Sequence, residues 1–385
     1  PTSKLKLVGV TGTNGKTTIA TVLYEMFRKF GHKCGLCSTV CNYIDGTPYP
    51  TECTTPDAIT LNQLLAEMVT QGCTYAFMEC SSHAIVQQRI RGLHFAGALF
   101  TNITHEHLDY HKTFAEYIRA KKSLFDNLPK SAFALVNIDD RNGEVMLQNT
   151  KASRHTLSLQ KMANFRAKVI EMMVEGMQLR IDDSDVWVQF LGRFNAYNLL
   201  TVYGAALLLG FEKEEVLAHL SMLRAVSGRF ETVVAKDGTT AIVDFAHTPD
   251  ALENIIRTID ELRQSGQRLI ALCGCGGDRD KSKRPIMGGM CAKMADIAIF
   301  TSDNPRTEDP EQILREMEAG VEAGDRYLKI ADRHEAIKTA VMLAEPRDII
   351  LLAGKGHEDY QIIGNEKHHF NDKEVVKEWF EKFDR

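Results

Sequence analysis

The chain has 385 residues, 44% of them hydrophobic, which is enough for two domains of ordinary size with substantial cores. Its formal net charge of −5 argues against a nucleic-acid-binding surface as the main function. No apolar run approaches the ~18 residues of a membrane span, and no charged-then-apolar leader opens the chain. A cytoplasmic protein without membrane insertion is therefore expected. The nine cysteines are scattered, and Cys273 and Cys275 have no second pair to complete a zinc pattern, so they read as reduced, buried thiols.

Taken in chain order, an apolar strand over residues 5–10 runs into Gly9-Val-Thr-Gly12-Thr13-Asn14-Gly15-Lys16-Thr17-Thr18 and a helix from about residue 17 to 30. Glycines between a buried strand and a helix leave backbone N–H groups pointing outward, a site for phosphate. Lys16 would reach the terminal phosphates and the Thr17 hydroxyl would hold Mg²⁺. The strict G-x-x-x-x-G-K-[ST] pattern is not met, because Val10 stands at its first glycine, so the loop is a variant. The bland alternative is an ordinary Gly-rich turn. Further strands are expected at 75–80, 97–101 and 133–137, with helices at 58–71 and 114–128. Such alternation implies a parallel sheet covered by helices. Residues 165–191 alternate and are polar, reading as a small antiparallel excursion, before helices at 195–209 and 213–223. A second alternating set starts near residue 240: strands at 241–245, 269–273, 297–301 and 349–353, and helices at 251–263, 310–319 and 333–343. The polar stretch Ala235-Lys-Asp-Gly238 is a turn signal, and the boundary is expected just before it, giving domains 1–231 and 232–385.

Several loops carry chemistry. Glu79, at the carboxyl end of a parallel strand near the phosphate loop, is well placed for Mg²⁺, although a lone loop carboxylate is usually just solvated. Residues 101–111 carry His105, Glu106, His107, Asp109 and His111, and either a Zn²⁺ site or a mixed His/carboxylate Mg²⁺ site fits that spacing. Lys121 and Lys122 ordinarily would be a solvated helix face. Asn195 and Asn198 open a helix and could cap it or meet a base. Asp244-Phe-Ala-His-Thr-Pro-Asp250 reads as a strand end, a sharp turn and a helix with proline in its first turn. Three more charged loops, at 274–284, 302–306 and 354–358, would emerge at the carboxyl end of the second sheet, where open α/β sheets bind ligands.

Read in order, these motifs resemble the Mur ligases, the ATP-dependent amide-forming enzymes of bacterial cell-wall synthesis, and among them the members that add meso-diaminopimelate. The set spans nearly the whole chain: Gly12 to Thr18, Glu79 with Ser81-Ser82-His83, His107-Leu-Asp-Tyr-His111, Asn195 and Asn198, Gly228-Arg229, Asp244 with His247-Thr-Pro-Asp250, Gly276-Gly-Asp-Arg-Asp-Lys281, Asp303-Asn-Pro-Arg306 and Gly354-Lys-Gly-His-Glu358. The resemblance implies an α/β protein, a parallel-sheet P-loop ATPase domain followed by a smaller Rossmann-like domain. It also implies ATP and Mg²⁺ as cofactors, UDP-N-acetylmuramoyl-L-alanyl-D-glutamate and meso-diaminopimelate as substrates, domain closure over ATP, and a monomer.

By the same resemblance, Gly12, Thr13, Asn14, Gly15, Lys16, Thr17 and Thr18 hold the ATP phosphates. Thr17 serves Mg²⁺ at the phosphates, Glu79 and His107 serve a second Mg²⁺, and Lys121 is a carbamate that binds Mg²⁺ or orients the γ-phosphate. Asn195 and Asn198 touch the adenine side, and Arg229, Asp244 and His247 serve phosphates and ribose. Thr54, Thr55, Ser81, Gln87 and Arg89 hold the muramoyl peptide. Arg279, Asp303, Asn304, Arg306, Gly354 and Glu358 form the pocket for the incoming amino acid. His105-Glu106 departs from the Arg-Asp common in the family. These ligases usually begin with a uridine-diphosphate-binding domain, whereas this chain opens on Pro1 close to the ATP domain, so a piece of a longer protein is expected. The alternatives are a folylpolyglutamate synthetase-like ligase, or an ATP-binding fragment or partner subunit without ligase activity.

Overall fold

The computed structural model describes residues 1–51, 53–104, 108–173 and 176–385, and the chain divides into two compact units, Pro1–Arg224 and Ala225–Arg385.

The first unit is built on an 11-stranded sheet among the described residues. Its parallel centre runs Ser153–Ser158, Phe133–Asn137, Phe95–Phe100, Lys6–Thr11, Tyr75–Glu79 and Cys34–Cys37. Lys6–Thr11 is buried at every position but the first, which is why it reads as a continuous apolar run. The order reverses at this strand: the chain crosses to Cys34–Cys37, returns to Tyr75–Glu79 beside it, and then adds Phe95–Phe100 on the other side. The carboxyl ends of Lys6–Thr11, Tyr75–Glu79 and Phe95–Phe100 therefore share the crevice where α/β sheets bind ligands. The phosphate-loop helix is Lys16–Lys29, and helices Ala58–Thr70, Phe114–Asp126 and Arg193–Leu208 stand near their expected positions.

The antiparallel excursion is present as Phe165–Met173, Gly176–Ile181 and Ser184–Val188. It is not a separate piece, however. Phe165 pairs in parallel with Leu157, so the hairpins extend the main sheet. Asn164 holds the connection by accepting from the N–H and hydroxyl of Thr156 at 2.9 and 3.0 Å.

The second unit carries a six-stranded sheet in the order Glu231–Val234, Thr240–Asp244, Ile349–Ala353, Leu269–Cys273, Ile297–Phe300 and Tyr327–Lys329. All neighbours are parallel except the first pair. The unit begins ahead of the boundary expected at 231/232. The Ala235–Gly238 stretch is a hairpin turn, with Gly238 N–H donating to Ala235 at 3.1 Å and Gly238 at φ +85°, so it ties Glu231–Val234 into this sheet and is not a linker. Thr248 caps helix Pro249–Leu262 by accepting from Ala251 N–H, with proline at its start as expected. Arg333 and Asp372, both fully buried, pair through two hydrogen bonds of 2.8 and 2.7 Å. Arg333 also donates to the carbonyls of Ser302 and Ala353, so one buried ion pair fixes the origin of two loops at the carboxyl end of the sheet.

Candidate functional site

In the first unit, the loop between Thr11 and Lys16 is held from outside. Gly15 is the helix N-cap in a left-handed conformation (φ 89°), and a Cβ there would stand 2.5 Å from Asn198 Oδ1. At Gly12 (φ 154°) a Cβ would overlap Thr101 Oγ1. Only glycine fits either position. The segment after Phe95–Phe100 braces the loop: Asn102 accepts from the N–H groups of Thr13 and Asn14 at 2.8 and 2.9 Å, and Thr101 Oγ1 donates to the Asn14 carbonyl at 2.6 Å. Lys16 Nζ folds back to the carbonyls of Gly12 and Thr13 at 2.9 and 2.7 Å. Thr17 and Thr18 are buried in the first turn of the helix. Thr104 Oγ1 is buried beside this loop with no hydrogen-bond partner among the described residues.

Two further side chains, Lys121 and Glu79, are buried on neighbouring elements. Lys121, 1% exposed, comes from Phe114–Asp126; its Nζ donates to the Gly12 carbonyl at 2.7 Å and lies 4.5 Å from the Tyr117 ring centroid. Its neighbour Lys122 instead pairs with Asp126 one turn away, so the two lysines have different surroundings. Glu79 is fully buried, and its carboxylate accepts from the Thr39 N–H at 2.7 Å and the Thr39 hydroxyl at 3.2 Å. Among the described residues it has no ion-pair partner, although a buried carboxylate is costly without a cation. Glu79 and Thr17 each supply a hard oxygen donor of the kind that suits Mg²⁺. No cluster of three or more His, Cys, Asp or Glu side chains that could hold a metal occurs among the described residues. His107 and the His105-Glu106 departure lie outside them; His111 is described, with Nε2 2.9 Å from Ser82 Oγ.

Asn195 and Asn198 do not cap their helix, whose N-cap is Gly192. Asn195 donates to the Leu191 carbonyl at 2.8 Å and accepts from Asn198 at 3.0 Å, which turns Asn198 Oδ1 toward Gly15. The pair thus supports the phosphate loop itself.

Of the five positions expected to hold the muramoyl peptide, Thr55, Ser81, Gln87 and Arg89 are hydrogen-bonded in one chain, and Thr54 joins them through Thr39 and Glu79. The Thr54 and Thr39 hydroxyls are 3.1 Å apart, and Thr55 Oγ1 donates to the Glu79 carbonyl at 2.8 Å and accepts from the Ser81 N–H at 3.3 Å. Arg89 donates to the Thr55 carbonyl at 2.7 Å and through two nitrogens to Gln87 Oε1. Thr39 joins this chain to Glu79, and nothing in its sequence surroundings marks it.

In the second unit, Arg229, Asp244 and His247 gather around Phe245. The Arg229 guanidinium lies 4.8 Å from the Phe245 ring centroid, the Asp244 carboxylate accepts from the Phe230 N–H at 2.7 Å, and the His247 ring packs on Phe245 at 4.5 Å. Burial pushes the Asp244 carboxyl up to about 6, against the pull of Arg229. His357 packs on the same phenylalanine at 5.1 Å, and burial, with Arg229 nearby, pushes its imidazole down to about 4.

The amino-acid positions also assemble. Arg306, at φ +51°, is clamped by the hairpin Tyr360–Ile363/Glu366–His369: its N–H donates to Ile362 and its carbonyl accepts from Gly364. Its guanidinium donates to the carbonyls of Gly277 and Asn304 at 2.9 and 3.4 Å. A Cβ on Gly276 would stand 2.9 Å from Arg306 Nη1 and 3.6 Å from Arg279 Cγ, so both cations border that glycine, Arg279 from an exposed position. Asn304 donates to Glu358 Oε2 at 2.8 Å. A Cβ on Gly354 (φ 114°) would stand 2.6 Å from Asp303 Oδ2. Burial, with Asp303 nearby, pushes the Glu358 carboxyl up.

The family model described as the Mur ligase middle domain matches residues 10–206, and that described as the Mur ligase glutamate ligase domain matches 228–356. A UDP-N-acetylmuramoyl-L-alanyl-D-glutamate–2,6-diaminopimelate ligase from Phocaeicola vulgatus is 60% identical over 382 residues, 99% of this chain and 79% of the relative. One of the same name from Bacillus cereus is 44% identical over 388 residues, covering 98% and 78%. A solved structure of a ligase of that name aligns with a TM-score of 0.71 at 35% identity, covering 99% and 79%. A folylpolyglutamate synthase from Thermotoga maritima shares the fold, with a TM-score of 0.65 at 15% identity, covering 91% and 86%.

Proposed function

The chain belongs to the Mur ligase family, and on that premise we propose that it is an ATP-dependent ligase joining meso-diaminopimelate to UDP-N-acetylmuramoyl-L-alanyl-D-glutamate in peptidoglycan precursor synthesis. The observation that carries the proposal is 60% identity, over 99% of this chain, to a relative named for that reaction. The first unit would bind the β- and γ-phosphates of ATP and the muramoyl peptide, and the second would bind the amino acid. The D-glutamyl carboxylate attacks the γ-phosphorus, and ADP leaves with the electrons of the broken bond. The amine of diaminopimelate then attacks the acyl phosphate, losing a proton as phosphate departs.

Lys16, released from its own loop carbonyls, would meet the β- and γ-phosphates, and the N–H groups of 15–17 would cradle them, those of Thr13 and Asn14 being held by Asn102. Thr17 would hold one Mg²⁺ with the phosphates, and Glu79 and His107 would hold a second; these ions would neutralise charge on the transferring phosphoryl group. Lys121 faces the same loop, and we assign it as the carbamate. Thr54, Thr55, Ser81, Gln87 and Arg89 would orient the peptide end, which matters because most of the rate must come from alignment. Arg229, Asp244 and His247 would serve ribose and phosphate. Arg279, Asp303, Asn304, Arg306, Gly354 and Glu358 would take the amino acid.

The test is phosphate release with ATP, the UDP-muramoyl dipeptide and each candidate amino acid. Release is expected with diaminopimelate and should fall by about 10²-fold or more in Lys16→Ala. Nucleotide binding without amino-acid-dependent release would leave an ATP-binding module and no ligase.

A further inference from the structure

One buried cation next to the amino-acid positions has no role in the scheme above. Lys355, between two glycines of the 354–358 loop, is 0% exposed. Gly354 and Gly356, at φ +114° and +53°, turn the backbone around it. Its Nζ donates to Glu358 Oε2 at 3.0 Å and to the Tyr360 carbonyl, and lies 3.4 Å from Asn304 Oδ1. Asn304 Nδ2 donates to the same Glu358 Oε2 at 2.8 Å, so three side chains close a triangle. Among the described residues Oε1 of Glu358 has no hydrogen-bond partner. One carboxylate oxygen is thus anchored by two donors while the other is left to accept.

We propose that Lys355 is a positioning residue for Glu358: it keeps that carboxylate ionised and aimed, so that Oε1 can accept an ammonium of the incoming amino acid. This rests on the amino-acid site proposed above. The charged and titratable groups around Glu358 are Asp303 and Arg306 on the neighbouring loop, Lys355, and His357, Asp359 and Tyr360 on its own. Burial and Asp303 both favour the neutral acid, and Lys355 is the cation in contact that opposes them. Without it, two acids would face each other in a half-buried pocket and Glu358 would take up a proton. A protonated Glu358 is a poor partner for an ammonium.

The experiment titrates diaminopimelate at saturating ATP and UDP-muramoyl dipeptide, following phosphate release across about pH 6–9. The proteins are wild type, Lys355→Met, Lys355→Gln, Glu358→Gln and the Lys355→Met/Glu358→Gln double variant. The glutamine at 355 keeps a donor toward Tyr360 and carries the test should the methionine variant fail to fold. The expected result is a rise in KM for diaminopimelate of about tenfold or more near neutral pH, with kcat and the KM for ATP little changed. The deficit should shrink as pH rises, and the double variant should be no worse than Glu358→Gln alone. A pH-independent rise, additive losses, a matching rise in the KM for ATP, or unfolding of both single variants would overturn the proposal and make Lys355 structural. If wild type itself ignores diaminopimelate, the amino-acid site is overturned and this inference with it.

Discussion

Lys121 Nζ donates to the carbonyl oxygen of Gly12 at 2.7 Å, across 109 positions of sequence. A buried lysine is thereby set against the loop expected to hold phosphates, where an ammonium would repel a nearby Mg²⁺ and a carbamate would attract it. Lys121→Ala should lose phosphate release by about 10²-fold or more, and acetate or formate in the buffer should restore part of it. Lys122→Ala should change little, because Lys122 pairs with Asp126 one turn along the helix and not with the phosphate loop. Full activity in Lys121→Ala would remove Lys121 from the mechanism, and loss without any rescue would remove the carbamate.

Gly15 makes the support of the phosphate loop testable by stability. Gly15→Ala meets two penalties: a left-handed φ of 89° and a Cβ 2.5 Å from Asn198 Oδ1, which Asn195 holds in place. Gly31→Ala has a similar φ of 84° and open space, so it meets only the first. Gly31→Ala should cost about 1 kcal/mol and Gly15→Ala roughly 1–3 kcal/mol. Thermal melts of the two variants separate the effects. Equal shifts would mean that Asn198 yields freely and does not brace the loop.

The parallel strands were legible because burial on both faces leaves unbroken apolar runs, as in Lys6–Thr11 and Ile349–Ala353, and the helices because their apolar stripes are long. Cys34–Cys37 was not, since four residues with a glycine carry little periodicity. The Ala235–Gly238 turn was legible as a turn, but sequence does not say whether a turn separates domains or closes a hairpin. Gly15 announces itself by a backbone demand that few residue types meet, and Arg306 by the Asp303-Asn-Pro-Arg306 motif. Thr39 and Lys355 do not. Their importance lies in partners brought from elsewhere, Glu79 for one and Asn304 and Glu358 for the other. Lys121 and Lys122 show the same limit: adjacent identical residues, distinguished only by which face of a helix the fold buries.

Acid stability should report on His357. Its imidazole is held down to about 4 in the folded chain, chiefly by burial and then by Arg229. The unfolded chain takes up that proton near 6.5 and the folded chain does not, so stability falls as pH drops from about 6.5 toward 4. Asp244 has the opposite sign. Its carboxyl is raised to about 6, so the folded chain holds a proton the unfolded chain has released, and acidification through that window relieves a penalty. His357→Gln should therefore lose less melting temperature than wild type between about pH 7 and 5, while Asp244→Asn should lose more. Parallel melting curves for all three proteins would show that neither group titrates as its surroundings imply.

Specificity for diaminopimelate over lysine should depend on Arg306. The two amino acids differ by one α-amino-acid end, carrying a carboxylate and an ammonium, so a selective site needs a cation placed for that carboxylate. Acidic neighbours of Arg306 are already committed: Glu308 to Arg284 and Lys281, and Asp309 to Arg315. Among the described residues Arg306 has no ion-pair partner. Its guanidinium is held by one nitrogen on the Gly277 and Asn304 carbonyls, and its remaining N–H donors form a fork that matches a carboxylate. Lysine would leave that fork unpaired at a cost of about 1–3 kcal/mol, or roughly 5- to 150-fold. Wild type should therefore prefer diaminopimelate by at least that range in kcat/KM, and Arg306→Ala should lose most of the preference by losing diaminopimelate use. Arg306→Lys should not restore it, because an ammonium lacks the planar fork. Phosphate release with each amino acid decides the matter: equal use of lysine by wild type, or an unchanged preference in Arg306→Ala, would place the discrimination on other residues and leave the ligase reading standing.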